Sequence, residues 1–218
     1  MNRLALFDCD GTMVDSQANI CLSMEQAFEK HDLPPPDRHL IRRIVGLSLQ
    51  EAVRRLLPEQ DDERLIEEVT NSYKEGFFEM RQAGSVHEPL YEGLPDLLDE
   101  LDAAGWVLGV ATGKSDRGLN HVLENHGLRD RFVTLQTADR HPSKPHPAMV
   151  ELAMSEAGSL KETTVMIGDT SFDMEMGVNA GVRALGVDWG YHNADELVAA
   201  GAELVAATME ELQEALLR

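Results

Sequence analysis

Basic side chains are scarce in these 218 residues: 19 Lys and Arg stand against 39 Asp and Glu, a formal charge of −20. A chain so acidic is repelled by nucleic acid and by anionic membrane surfaces, so neither is expected as a partner. Cysteine is scarcer still, with Cys9 and Cys21 alone, and Cys9 falls at the end of what reads as a buried strand. A disulfide framework is therefore not expected, and a reducing compartment, the cytoplasm, is. Long hydrophobic runs are missing too. None approaches the roughly 18 residues of a membrane span, and the apolar stretch before Asp8 is too short for the core of a secretion signal. Internal repeats and low-complexity tracts are also lacking. The charge does not exclude a phosphorylated small molecule, because a few cations, a metal and backbone N–H groups gathered at one point bind an anion whatever the net charge.

At roughly 100–200 residues per domain, the length permits one large domain or a main domain carrying a smaller one. Residues 3–8, 106–111, 132–136, 163–167 and 183–187 are short apolar runs bounded by Gly, Asp or Pro, and they read as buried parallel strands. Helical spacing lies between the later ones: Leu97, Leu98 and Leu101, then Leu119, Val122 and Leu123, then Val150 to Met154, with a capping-box pattern at Thr208 and Glu211 opening a last helix. This alternation predicts an α/β fold, a Rossmann-like doubly wound parallel sheet. From Ser16 to Gln82 the pattern is helical throughout, as in Ile20, Met24, Ala27 and Phe28 or Leu65, Val69, Tyr73 and Phe77. The expected organisation is a catalytic core of residues 1–15 and 83–218 interrupted by an all-α cap of residues 16–82. Joints are expected at 12–16 and 83–93, where Gly84, Pro89 and Gly93 cluster.

The first strand ends in Asp8-Cys9-Asp10-Gly11-Thr12. Two carboxylates one residue apart at the carboxyl end of a buried strand repel each other, and in open α/β sheets that end is where ligands bind. A divalent cation would offset the repulsion and leave one carboxylate oxygen free to attack. Alone, Asp-x-Asp-Gly also fits an ordinary acidic turn, so the other strand ends decide. The second strand runs into Thr112-Gly113-Lys114-Ser115, a hydroxyl and a helix N-terminus suited to a phosphate oxygen. After the third comes Ser143-Lys144-Pro145, a lysine stiffened by proline, and after the fourth Gly168-Asp169-Thr170-Ser171-Phe172-Asp173, a second acidic pair. Four such pieces at successive strand ends point to one crevice.

In this order the motifs resemble those of the haloacid dehalogenase-like hydrolase superfamily, over nearly the whole chain. The helical insert resembles its small α-helical cap, and the stretch from Gly181 to Tyr191 resembles the phosphoglycolate phosphatase-like branch. The resemblance implies that Asp8 is the nucleophile, forming an aspartyl-phosphate, and that Asp10 protonates the leaving alcohol and then deprotonates the attacking water. It implies Mg²⁺ held by Asp8, the Asp10 carbonyl and Asp169, with Asp173 in support. Thr112, the Gly113 backbone and Lys144 would bind phosphate oxygens.

The implied activity is Mg²⁺-dependent hydrolysis of a small phosphorylated metabolite, phosphoglycolate being the first to try. The alternatives are a sugar phosphomutase resembling β-phosphoglucomutase and a catalytically silent binding module on the same fold. A monomer or homodimer is expected. Within the cap, Arg42 and Arg43 precede a Gly turn and are candidates for holding the leaving group, with Lys114 and Arg117 as alternatives. Cys9 should point away from the site by strand alternation and act as a small hydrophobe. His141 and His146, beside Lys144, are expected to be loop polar groups.

Overall fold

A computed structural model describes residues 2–57 and 62–218. β1 (Asn2–Phe7), β2 (Trp106–Thr112), β3 (Phe132–Thr137), β4 (Ser159–Gly168), β5 (Arg183–Val187) and β6 (Leu204–Ala206) form one parallel sheet in the order β3-β2-β1-β4-β5-β6. The fold is the doubly wound α/β architecture that the sequence predicts.

Alternate residues of β1 serve opposite faces, as a period of two requires. Ala5 and Phe7 pack with Leu97, Leu98 and Leu101 of α5 (Leu94–Ala103), Leu119 and Val122 of α6 (Asp116–Asn125), and Leu212 and Leu216 of α10 (Met209–Leu217). Leu4 and Leu6 pack on the other face with Met149, Val150 and Ala153 of α7 (Ala148–Ala157) and Met176 and Ala180 of α8 (Ser171–Ala180). Where a central strand is covered on both faces it must be apolar, which is why β1 reads as an unbroken run from Leu4 to Phe7. Elements beyond the sequence reading include α8, β6, only three residues long, and α9 (Ala194–Ala199), whose Leu197 packs on Met174 and Ala184.

Between β1 and α5 the described chain forms α1 (Gln17–Glu29), α2 (Arg38–Arg43), α3 (Leu49–Leu56) and α4 (Glu63–Gln82). These helices bury an apolar cluster of their own, including Met24, Phe28, Ile41, Val53, Ile66 and Val69. The segments leading into and out of them run side by side. Val14 bridges antiparallel to Leu90, the Asp15 N–H donates to the Pro89 carbonyl at 2.9 Å, and the Tyr91 N–H donates to the Met13 carbonyl at 3.0 Å.

The strand order reverses direction around β1. Phe7 lies level with Val110 of β2 and Ile167 of β4, so Asp8, Thr112 and Asp169 emerge together at the carboxyl ends, in the crevice this topology opens.

Candidate active site

Asp8 is fixed by its own backbone, whose N–H donates to the Ile167 carbonyl at 2.8 Å. Its carboxylate stands with those of Asp169 and Asp173, all three buried, with one oxygen of each within 4.8 Å of the others. The Lys144 ammonium lies 2.9 Å from Asp8 Oδ1 and 2.6 Å from Asp173 Oδ1, and it is the sole cation paired with the cluster among the described residues. Burial works against its charge, but Asp173 and Asp8 outweigh burial and keep it protonated. Asp173 is used up on its own helix, since its Oδ2 accepts from the Thr170 N–H at 3.1 Å and hydroxyl at 2.7 Å, capping α8. Asp169 accepts from the Thr12 hydroxyl at 2.7 Å and the Tyr191 N–H at 2.9 Å. The backbone of Gly11, at φ +84°, closes over it so tightly that a Cβ there would lie 2.2 Å from Asp169 Oδ2.

Asp8 differs from its neighbours in that neither carboxylate oxygen has a well-aligned hydrogen bond, and Lys144 meets it only as an ion pair. Burial, reinforced by Asp173 and Asp10 and opposed by Lys144, raises its pKa to about 7. Asp169 is raised well above the ordinary carboxylate range, by burial first and then by Asp173 and Asp8. Three buried carboxylates facing one ammonium, with Asp8 Oδ2 left without a partner, form a donor set suited to a hard divalent cation. Asp8 and Asp169 would hold it directly, and Asp173 and Lys144 would steady them.

Asp10 serves a different partner. Its Oδ1 ion-pairs with Lys114 at 2.8 Å and accepts a short hydrogen bond from Ser16. Lys114 also meets Glu88, from the returning linker, at 3.0 Å. Lys114 lines the cavity, as its expected substrate contact requires, while its ammonium is shared between Asp10 and Glu88. Thr112 and Gly113 lie at the end of β2, where the Thr112 hydroxyl accepts from the Lys114 N–H at 3.2 Å. Helix α3 meets the core beside them, the Ser48 N–H donating to Ser143 Oγ at 2.9 Å.

Asp8, Asp10, Thr112, Gly113 and Lys114 open onto a cavity of about 780 Å³, roofed by α1, α4 and the segment before α3. Arg117 lies at its wall, its guanidinium 4.0 Å over the Phe78 ring. Arg42 and Arg43 do not line it. The last turn of α2 carries Arg42 back toward Cys21 on α1 and Arg43 outward to an ion pair with Glu196 of α9, so the expectation that they face the substrate is corrected. The cationic side chains that α4 contributes to the cavity lining are instead Lys74 and Arg81. These residues carry no local motif. Their helical spacing was visible, but the face they turn inward depends on how α4 docks. Cys9 is buried in the apolar core and its thiol is pushed well up by burial. His141 bonds Gln136 at 2.8 Å at the cavity wall, and His146 accepts from the Ala148 N–H at 3.2 Å.

The sequence pattern of haloacid dehalogenase-like hydrolases matches residues 5–187. The chain is 35% identical over 216 residues to the probable phosphatase IndB of Dickeya dadantii, covering 97% of this chain and 92% of that protein. It is 27% identical over 216 residues to the phosphoglycolate phosphatase of Vibrio parahaemolyticus, covering 97% and 95%. Among solved structures it superposes on a predicted phosphatase from Clostridium acetobutylicum with a TM-score of 0.88 at 25% identity, covering 100% of this chain and 99% of that one.

Proposed function

The chain belongs to the haloacid dehalogenase-like hydrolase family and is a phosphatase, and from that premise we propose that it is a Mg²⁺-dependent phosphomonoesterase working through an aspartyl-phosphate on Asp8. The observation that carries this reading is the Asp8 carboxylate, buried, ion-paired with Lys144 through Oδ1, without a partner at Oδ2 and open to the cavity beside Asp10. An Asp8 oxygen attacks the phosphorus, the bond to the leaving oxygen breaks, and Asp10 delivers the proton that makes the leaving group a neutral alcohol. Water then attacks the phosphoenzyme, Asp10 takes its proton, and Asp8 is released with inorganic phosphate. Lys144 spreads positive charge over Asp8 and the transferred group, and Lys114 fixes the direction of the Asp10 carboxylate. Bound divalent metal supplies the charge that makes attack by one anion on another feasible. In this reading residues 16–82 act as a cap that excludes water while the phosphoryl group is transferred.

The test is phosphate release from phosphoglycolate and from generic aryl phosphates, with chelator and after Mg²⁺ is restored, together with a search for an isomerised sugar phosphate. Release that depends on Mg²⁺ and exceeds isomerisation supports hydrolysis. Full activity in excess chelator, or isomerisation without net release, would overturn it.

A further inference from the structure

Phosphoglycolate, at about 30 Å³ for each water-sized heavy atom, fills only about a third of this cavity, which falls in the range of sites that enclose drug-sized ligands. The remaining space has a definite chemistry. Along α4, Thr70, Tyr73, Phe77 and Arg81 recur at helical spacing and turn one face into the cavity, an apolar band about 16 Å long with a polar group at each end. Ile20, Met24, Val45 and Leu47 extend the apolar wall from the opposite side. Each end group carries one atom without a hydrogen bond. Thr70 Oγ1 is buried without a hydrogen bond, in a residue only 6% exposed, and Arg81 Nε is likewise buried and unbonded. Arg81 makes only a loose contact with Glu88, at 3.8 Å, and lies 4.7 Å over the Phe77 ring. Arg81 and Arg117 both line this end of the cavity, with Glu88 the carboxylate beside Arg81.

Resting on the phosphatase reading above, we infer that the preferred substrate is a phosphate ester whose leaving group is a bulky ring-bearing body with a carboxylate held by Arg81. The apolar band receives the ring, and the guanidinium, stiffened by its stack on Phe77, offers a charged donor to an anion. A two-carbon acid leaves the band unfilled.

The experiment compares phenyl phosphate, 4-carboxyphenyl phosphate and phosphoglycolate. It uses turnover by the wild-type protein with Mg²⁺, and ligand-induced melting shifts of Asp8→Asn, which binds without turning over. The expected kcat/KM order is 4-carboxyphenyl, then phenyl, then phosphoglycolate. In Arg81→Met the ratio between the two ring esters should fall by about tenfold or more, the loss of one charged hydrogen bond, and Arg81→Lys should restore part of it. Comparing ratios cancels the intrinsic reactivity of the two esters and any general effect on folding. Phosphoglycolate turned over as well as the ring esters, or a ratio that survives Arg81→Met, overturns the inference while leaving the phosphatase reading intact. If no ester is turned over, the melting shifts decide. A larger shift with the carboxylated ester that vanishes when Arg81→Met is added sustains the subsite and sinks the phosphatase reading, and equal shifts sink both.

Discussion

Asp8 is held in a state that costs stability in the absence of metal. Its pKa rises from 3.8 when unfolded to about 7 when folded, so the folded chain binds a proton more tightly there, and stability is lost as pH climbs from about 4 to 7. Asn keeps the shape without the charge. In chelator, Asp8→Asn is therefore expected to melt higher than wild type at pH 8, by about 2–4 °C for each kcal/mol relieved, with the gap closing at pH 4. The same variant should release no phosphate. A wild type that melts as high as Asp8→Asn at pH 8 would mean the carboxylate cluster is not strained. Mg²⁺ should raise the wild-type melting temperature in proportion to the logarithm of its concentration, and Asp169→Asn should lose most of that shift. Equal shifts in both proteins would place the metal elsewhere.

The contact that brings α3 down on the core depends on an absent side chain. A Cβ at Gly113 would lie 2.4 Å from the Leu47 carbonyl oxygen and 2.7 Å from that of Gly46. Gly113→Ala should push this segment off the end of β2. Overpacking costs about 1–3 kcal/mol, which predicts a loss of roughly tenfold to a hundredfold in kcat/KM with a small change in melting temperature, because the sheet beneath is untouched. A loss of melting temperature as large as that of a core cavity would show that the contact supports the fold rather than closure. Elements differ in how plainly their residues announce them. β1 to β5 were legible because buried parallel strands must be apolar on both faces. β6 was not, since its three residues sit at the sheet edge between Glu203 and Ala207 and bury only Ala206 well. The strand-end residues were legible because topology gathers strand ends whatever the packing. Arg42 and Arg43 misled because adjacent residues on a helix point about 100° apart, and neither direction led to the cavity. Thr70 and Arg81 were hidden for a related reason: an amphipathic helix shows which face is apolar, whereas the cavity lies along the border of that face.

Across the whole molecule the excess of 20 negative charges works against compaction. Raising KCl from about 10 mM to about 150 mM shrinks the screening length from roughly 30 to 8 Å, and the melting temperature should rise with it. The buried pairs of Lys144 and Lys114 lie beyond this effect, so turnover at saturating Mg²⁺ should change less than stability does. A melting temperature independent of salt would show that the surface charges are already balanced locally, as by the pairs of Arg131 with Asp99 and Asp102.

The strand order also sets the timetable of assembly. β1 lies at the centre of the sheet, yet Arg3 pairs with Trp106 and Leu4 with Thr164. At synthesis rates of about 5–20 residues per second, the central strand of the sheet waits roughly 5–20 s for its first neighbour and longer for its second. Helices α1 to α4, whose contacts lie within one stretch of chain, collapse in far less time. The helices that roof the cavity are thus ready before the sheet that carries the carboxylate cluster, and Asp8 spends that interval at the tip of an unpaired hydrophobic segment that a chaperone would recognise.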